Sequence, residues 1–209
     1  MGHHESPNNA APAIVGGIEG EIEYLASGFR HTLVATADGS VYAFGFSRHG
    51  RLGCVQNQSM TKIVTPQKVP FPVAITRVAC GFGHSAAVAV DGSLFTWGYG
   101  GDGALGLGQT DDVWIPTRVD DIVARDVSCG GCHTLVLDVK GVLYAAGAET
   151  CVGPRLAGST FKFWLEKGPV SIIHAGSKSS LVVLKEFPRE FFAFGSNEMG
   201  YLGLPDWKA

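Results

Sequence analysis

Residues 81 to 98 read GFGHSAAVAVDGSLFTWG. A histidine opens an apolar run, Asp91-Gly92 interrupts it, and a second run ends in Trp97-Gly98. Asp-Gly between two such runs is a strong signal for a tight β-hairpin turn with positive φ. The form returns as GFRHTLVATADGSVYAFG at 28 to 45 and as GGCHTLVLDVKGVLYAAG at 130 to 147. A fourth version, GSKSSLVVLKEFPREFFAFG at 176 to 195, is two residues longer and has Ser179 in place of the histidine. In the first three, the histidine precedes the closing glycine by 14 residues: His31 to Gly45, His84 to Gly98, His133 to Gly147. The closing glycines Gly45, Gly98, Gly147 and Gly195 lie 53, 49 and 48 residues apart, a period that suits propeller blades.

The unit around each hairpin is larger than two strands. Ahead of it lies a further short run, at Ile22 to Ala26, Ile75 to Cys80, Arg125 to Cys129 and Ser171 to Ala175. Behind it comes Gly50-Arg51-Leu52-Gly53, Gly103-Ala104-Leu105-Gly106 or Gly200-Tyr201-Leu202-Gly203, degraded in the third repeat to Gly153-Pro154-Arg155-Leu156-Ala157. A last strand is suggested by Pro66 to Val69 and Pro116 to Val119, where proline suits an edge or a strand start. Three or four short antiparallel strands per repeat make a blade, and radially stacked blades bury one another's apolar faces. The fold class is therefore all-β, a partial β-propeller of four blades. The expected organisation is an N-terminal tail or partial strand over 1–20, then repeats over about 21–70, 71–120, 121–168 and 169–209.

The pattern Cys-Gly-x-x-His-Ser/Thr, Asp-Gly-x-Val/Leu-Tyr/Phe-x-Trp/Phe-Gly, Gly-x-Leu-Gly and Pro-x-x-Val resembles the regulator of chromosome condensation repeat family over residues 20 to 204. The resemblance implies a β-propeller, seven-bladed in the best-known members, and this chain carries four repeats. Neither Ile14 to Gly20 nor the tail LPDWKA, which holds Trp207, is long enough to cover a blade face. Closure as a four-bladed ring, association with another chain, and a piece of a longer protein are the alternatives. The expectation is an open arc with self-association through its exposed end blades.

The repeat also decides how Cys129-Gly130-Gly131-Cys132-His133 is read. Alone it is C-x-x-C-H, the attachment motif of a c-type haem. Yet Cys129 aligns with Cys80 and Ser27, and His133 with His84 and His31, so Cys132 alone stands outside the repeat. With no second ligand pair at metal spacing, no metal, haem or other cofactor is expected. The repeat histidines are read as structural, bonding backbone at a strand start. Five cysteines, Cys54, Cys80, Cys129, Cys132 and Cys151, form an odd set, and the first twenty residues lack the pattern of a secretory signal. All five are expected as reduced thiols. His3 and His4 read as tail residues, and the expected location is cytoplasmic or nuclear.

With 45% apolar residues and a net charge of -3, the chain can build a core and shows no Lys/Arg cluster for nucleic acid. Glycine makes up 29 of 209 residues, roughly twice the usual 7%, as a chain that turns often requires. No apolar run approaches the roughly 18 residues of a membrane span. The phosphate-binding and nucleophile-elbow motifs G-x-x-x-x-G-K-[ST] and G-x-S-x-G are absent, and glycine-rich 98–103 lies between strands of a blade. No catalytic residue is assigned. Trp97 is expected in a blade core, with Trp114 and Trp164 in inter-blade connections.

The leading function is thus a non-enzymatic module for a protein partner, displayed on loops that include Phe29, Arg30, Arg48, His49, Phe82 and Asp102. The family resemblance implies a second class, guanine nucleotide exchange on a Ran-like small GTPase. Its exchange surface looks to need acidic and histidine residues in the loops before the repeat histidine and after the Trp-Gly pair. Here those loops carry Arg30, Gly83, Cys132 and Lys178, and Asp102 alone, five residues after Trp97, resembles such a position. A third class is a chromatin-associated or light-sensing propeller, the latter since Gly28-Phe29-Arg30-His31-Thr32 is similar to the Gly-Trp-Arg-His-Thr motif of light-sensing plant propellers. Phe29 replaces the tryptophan, and the aligned Phe82, Gly131 and Ser177 supply no indole.

Overall fold

The computed structural model describes residues 12–54, 61–164, 168–187, 190–200 and 202–205. The first blade pairs β1 (Ile22–Ser27), β2 (His31–Thr36), β3 (Val41–Phe46) and β4 (Lys62–Val69) as neighbours in chain order. The second is built from β5 (Ile75–Cys80), β6 (His84–Ala89), β7 (Ser93–Gly98) and the start of β8 (Val113–Cys129). The third takes the end of β8 with β9 (His133–Asp138), β10 (Leu143–Gly147) and β11 (Gly158–Trp164). The fourth has three strands, β12 (Val170–Ala175), β13 (Ser179–Leu184) and β14 (Phe191–Gly195). Among the described residues the substantial inter-blade packing joins consecutive blades, β1 and β2 with β5 and β12 with β8 and β9, and none joins the first blade to the fourth, so the four blades form an open arc. No described helix is long and apolar enough to cross a membrane.

Two features depart from the sequence reading. The segments containing Pro116 to Val119 and Arg125 to Cys129 are one continuous strand: Val123 still pairs with Ser93 of blade 2, and Ala124 already pairs with Asp138 of blade 3. The join passes through Asp121 at φ 64, and a register shift between Ser93 and Leu94 absorbs the change of direction. Trp114 and Trp164, expected in connections, are strand residues of β8 and β11. The second departure is α1, a single turn at Glu149–Val152 in the degraded third-repeat segment.

The hairpin turns owe their shape to glycine. Gly39, Gly92 and Gly141 have φ of 80, 82 and 87, and their N–H groups return to the carbonyls of Thr36, Ala89 and Asp138. The preceding Asp38 and Asp91 are not in the positive-φ region. Instead each accepts the N–H two residues on, Ser40 at 3.1 Å and Ser93 at 2.9 Å.

Apolar residues collect between blades. Leu33 and Val41 of blade 1 pack with Val78, Phe95 and Trp97 of blade 2. Val88 and Leu94 meet Val127 and Val136 between blades 2 and 3, and Leu135 and Leu143 meet Ile173 and Val182 between blades 3 and 4. Strands with a neighbour on each side must be apolar on both faces. Accordingly β6 and β9 are buried at every position, whereas β13 alternates buried and half-buried. That alternation marks an end blade.

Candidate functional site

The strand starts form one rim of the arc, and the repeat histidines sit just beneath it. His31, His84 and His133 pair across their hairpins with Gly45, Gly98 and Gly147, and Ser179 with Gly195. Gly98 has φ 107 and lies so close to the Gly83 carbonyl and the His84 Cα that a Cβ would collide with both. The closing glycine therefore lets the histidine strand dock at the rim.

Each histidine reaches into the next blade. The Nε2 of His31 is 2.9 Å from Ser85 Oγ, that of His84 is 2.9 Å from Thr134 Oγ1, and that of His133 is 3.0 Å from Ser180 Oγ. The three hydroxyls donate in turn to the carbonyls of Arg51 (2.7 Å), Ala104 (2.7 Å) and Cys151 (3.1 Å). A hydroxyl has one proton to give. Since it goes to the carbonyl, each imidazole donates from Nε2, and burial keeps the ring neutral at neutral pH. Beside the backbone role expected of them, the histidines thus reach a carbonyl through a side-chain hydroxyl one blade further on. The Nδ1 atoms of His31 and His133 have no partner among the described residues. Burial lowers His31 and His133 to about 4, with Arg51 adding to the effect at His31; burial, then His133 and His31, lowers His84 to about 3.

Backbone bonds run beside this relay. The N–H groups of Phe29, Phe82 and Gly131 donate to Gly81, Gly130 and Gly176, each one blade on. The Trp97 indole donates to the Arg51 carbonyl at 2.9 Å, so this residue seals an inter-blade seam as well as a blade core. The rim loops are thus held by the frame beneath them.

On that frame the structure gathers five of the six candidate partner-facing residues. Phe29 and Phe82 stack at 4.4 Å with ring planes 14° apart, and both are more than half exposed. Arg30 lies over the Phe29 ring, 4.9 Å from its centroid. Arg30 and Arg48 both lie over Phe46, at 5.5 and 5.8 Å. His49 bonds Asp112 at 2.6 Å and meets Tyr99 edge-on. Asp102 is exposed and has no part in these contacts; partial burial raises its pKa.

Arg51 is the residue that sequence reasoning missed. It is buried, its Nε donates to Arg48 O and its Nη1 to Phe82 O, each at 2.9 Å, and its guanidinium lies 5.2 Å from the Phe46 centroid. It ties blade 1 to the rim loop of blade 2. The signal was present as the variable residue of Gly50-Arg51-Leu52-Gly53, where the other repeats offer Ala104, Arg155 and Tyr201.

The cysteines require a correction. Cys132 and Cys151 are joined by a disulfide, while Cys54, Cys80 and Cys129 are free. The short turn α1 carries Cys151 against the rim loop that holds Cys132, which no repeat alignment could show. The two sulfurs and a His133 ring nitrogen lie within 4.8 Å of one another, but sulfurs bonded to each other are not thiolate ligands. Burial pushes the thiol of Cys129 up to about 12 and that of Cys54 to about 11, so neither is a thiolate at neutral pH.

Fold and rim together define a partial β-propeller of repeated three- and four-stranded blades, the first three tied to the next by a histidine. Models of the regulator of chromosome condensation (RCC1) repeat match residues 38–88 and 91–137, and a second such model matches 22–51 and 75–104. The chain belongs to this family. It is 34% identical over 153 residues to the ultraviolet-B receptor UVR8 of Arabidopsis thaliana, covering 70% of this chain and 34% of the receptor. The structure of human WBSCR16 superposes with a TM-score of 0.78 at 25% identity, over 90% of this chain and 50% of that one. Prp20p of Saccharomyces cerevisiae, whose structure was described with its binding to Gsp1p and histones, gives a TM-score of 0.76 at 23% identity, over 92% of this chain and 50% of that one. The chain therefore spans about a third to a half of these relatives.

Proposed function

We propose that this chain is a non-enzymatic protein-interaction module, a rigid arc that presents its rim loops to a protein partner in the cytoplasm or nucleus. The carrying observation is that the buried histidines, the groups best suited to acid–base chemistry, are neutral and committed to inter-blade bonds, while exposed Phe29, Arg30, Arg48 and Phe82 project from the frame they hold. Cross-linking mass spectrometry on captured partners tests this: cross-links concentrated on the rim loops support the reading. Cross-links confined to the opposite rim, or no specific partner at all, refute it.

A second reading is nucleotide exchange on a Ran-like GTPase, prompted by the likeness to Prp20p and by the exposed Asp102 after Trp97-Gly98. The loops before the histidines offer no carboxylate, so GDP release from such a GTPase should be accelerated weakly or not at all. Strong acceleration that is lost in Asp102→Ala would reverse the order of the two readings.

A further inference from the structure

Three arginines crowd one ring on the rim, and among the described residues none of them is paired with a carboxylate. The Cζ atoms of Arg30, Arg48 and Arg51 lie 5.5, 5.8 and 5.2 Å from the centre of the Phe46 ring. Like charges gathered this closely repel, and such a cluster is normally relieved by an anion. Among the described residues none of the three forms an ion pair with a carboxylate. The acid that bears on Arg51 is Asp112, and it is engaged: Oδ2 is held by His49 Nδ1 at 2.6 Å, and Oδ1 accepts the Gly100 N–H at 3.1 Å. Burial and the charge of Arg30 both depress the pKa of Arg51, which Asp112 only partly offsets. The local excess of positive charge stands against a chain whose net charge is -3.

The cationic cluster runs directly into an apolar one. Arg30 spans from Phe46 to Phe29, and Phe29 stacks on Phe82. A ligand lying along this line would meet guanidinium groups at one end and exposed aromatic rings at the other. We propose that the patch formed by Arg30, Arg48, Phe29 and Phe82, with Arg51 behind it, docks an acidic segment of a partner protein in which Asp or Glu stands beside an aromatic or branched aliphatic side chain. This rests on the interaction-module reading and gives that module a partner chemistry.

Single-stranded nucleic acid is the competing anion, and the geometry favours it less. Strand binding needs cations tracking several phosphates and free ring faces on which bases stack. Here the three guanidinium groups surround one ring rather than lining a groove. One face of Phe29 is taken by Phe82 and Arg30 lies over the same ring, so Phe29 is already engaged by its neighbours.

The test uses a random twelve-residue peptide phage library against the full chain, with a labelled oligothymidylate in parallel. Recovered peptides should pair Asp or Glu with an aromatic or branched aliphatic residue, and their binding should weaken as salt rises. The double variant Arg30→Glu/Arg48→Glu should bind them at least about tenfold more weakly with an unchanged melting temperature, since both side chains are exposed. Phe82→Ala should weaken binding without altering its salt dependence. The proposal is overturned if selected peptides lack acidic residues, if the charge reversal leaves binding unchanged, or if the oligonucleotide binds more tightly than the peptides and competes with them. Rim-directed partner cross-links that survive the charge reversal would discard this patch and leave the module reading standing.

Discussion

At the scale of single residues, the account turns on the histidines. Each is neutral and buried in the folded chain, where its pKa of about 4, or about 3 for His84, lies below the ordinary 6.5. The unfolded chain therefore binds more protons between those values. The stability they contribute is fully present above pH 6.5 and is lost as pH falls from 6.5 toward 4. The lowered carboxylate of Asp38, at about 2, acts only below this window. Urea denaturation should give a midpoint that is flat above pH 7 and falls steadily from 6.5 to 4. His84→Ala should cost about 1–3 kcal/mol at neutral pH, since it removes the donor to Thr134 Oγ1 and leaves space in the seam, and it should also shallow that slope. A flat profile in the parent protein, or a variant as stable as the parent, would contradict the relay.

At the scale of elements, the hairpins were legible because their signals are local. Strands β2, β6 and β9 begin at the histidine, β3, β7 and β10 run to the closing glycine or one residue past it, and the turn glycines have the positive φ that Asp-Gly suggested. The outer strand β11 was not legible, since Gly158–Trp164 lacks the Pro-x-x-Val that marked β4 and β8. The hydroxyl partners of the histidines stood in the sequence as Ser85, Thr134 and Ser180, but each serves a histidine one repeat earlier, and a pairing across blades leaves no short-range trace. For the same reason Cys132 read as a chance substitution while its partner Cys151 lay 19 residues away in a segment that departs from the repeat. The bond ties the blade 3 rim loop to α1, whose Cys151 and Val152 pack with Val182 and Leu184 of blade 4. Thiol titration of the denatured, unreduced chain should find three free cysteines, rising to five after reduction. Five before reduction would restore the expectation of reduced thiols throughout.

At the scale of the whole molecule, the interior blades and the end blades obey the same pattern with different outcomes. Ile22 and Ile75 occupy equivalent positions in β1 and β5, yet Ile22 is 51% exposed and Ile75 2%. At the other end Phe191 is 63% exposed where its equivalent Leu94 is fully buried. Leu25 and Val78 repeat the contrast. Among the described residues, apolar side chains placed for a neighbouring blade find none at either end, and repeat arrays need such ends capped. Exposed apolar surface of this kind marks association sites. Light scattering after size exclusion puts the open arc to the most direct test. The expected result is a mass above the 22.0 kDa of one chain that rises with concentration, together with a low melting temperature when the chain is dilute. A compact, fully monomeric and thermally robust 22.0 kDa particle would contradict it and favour a closed four-bladed ring.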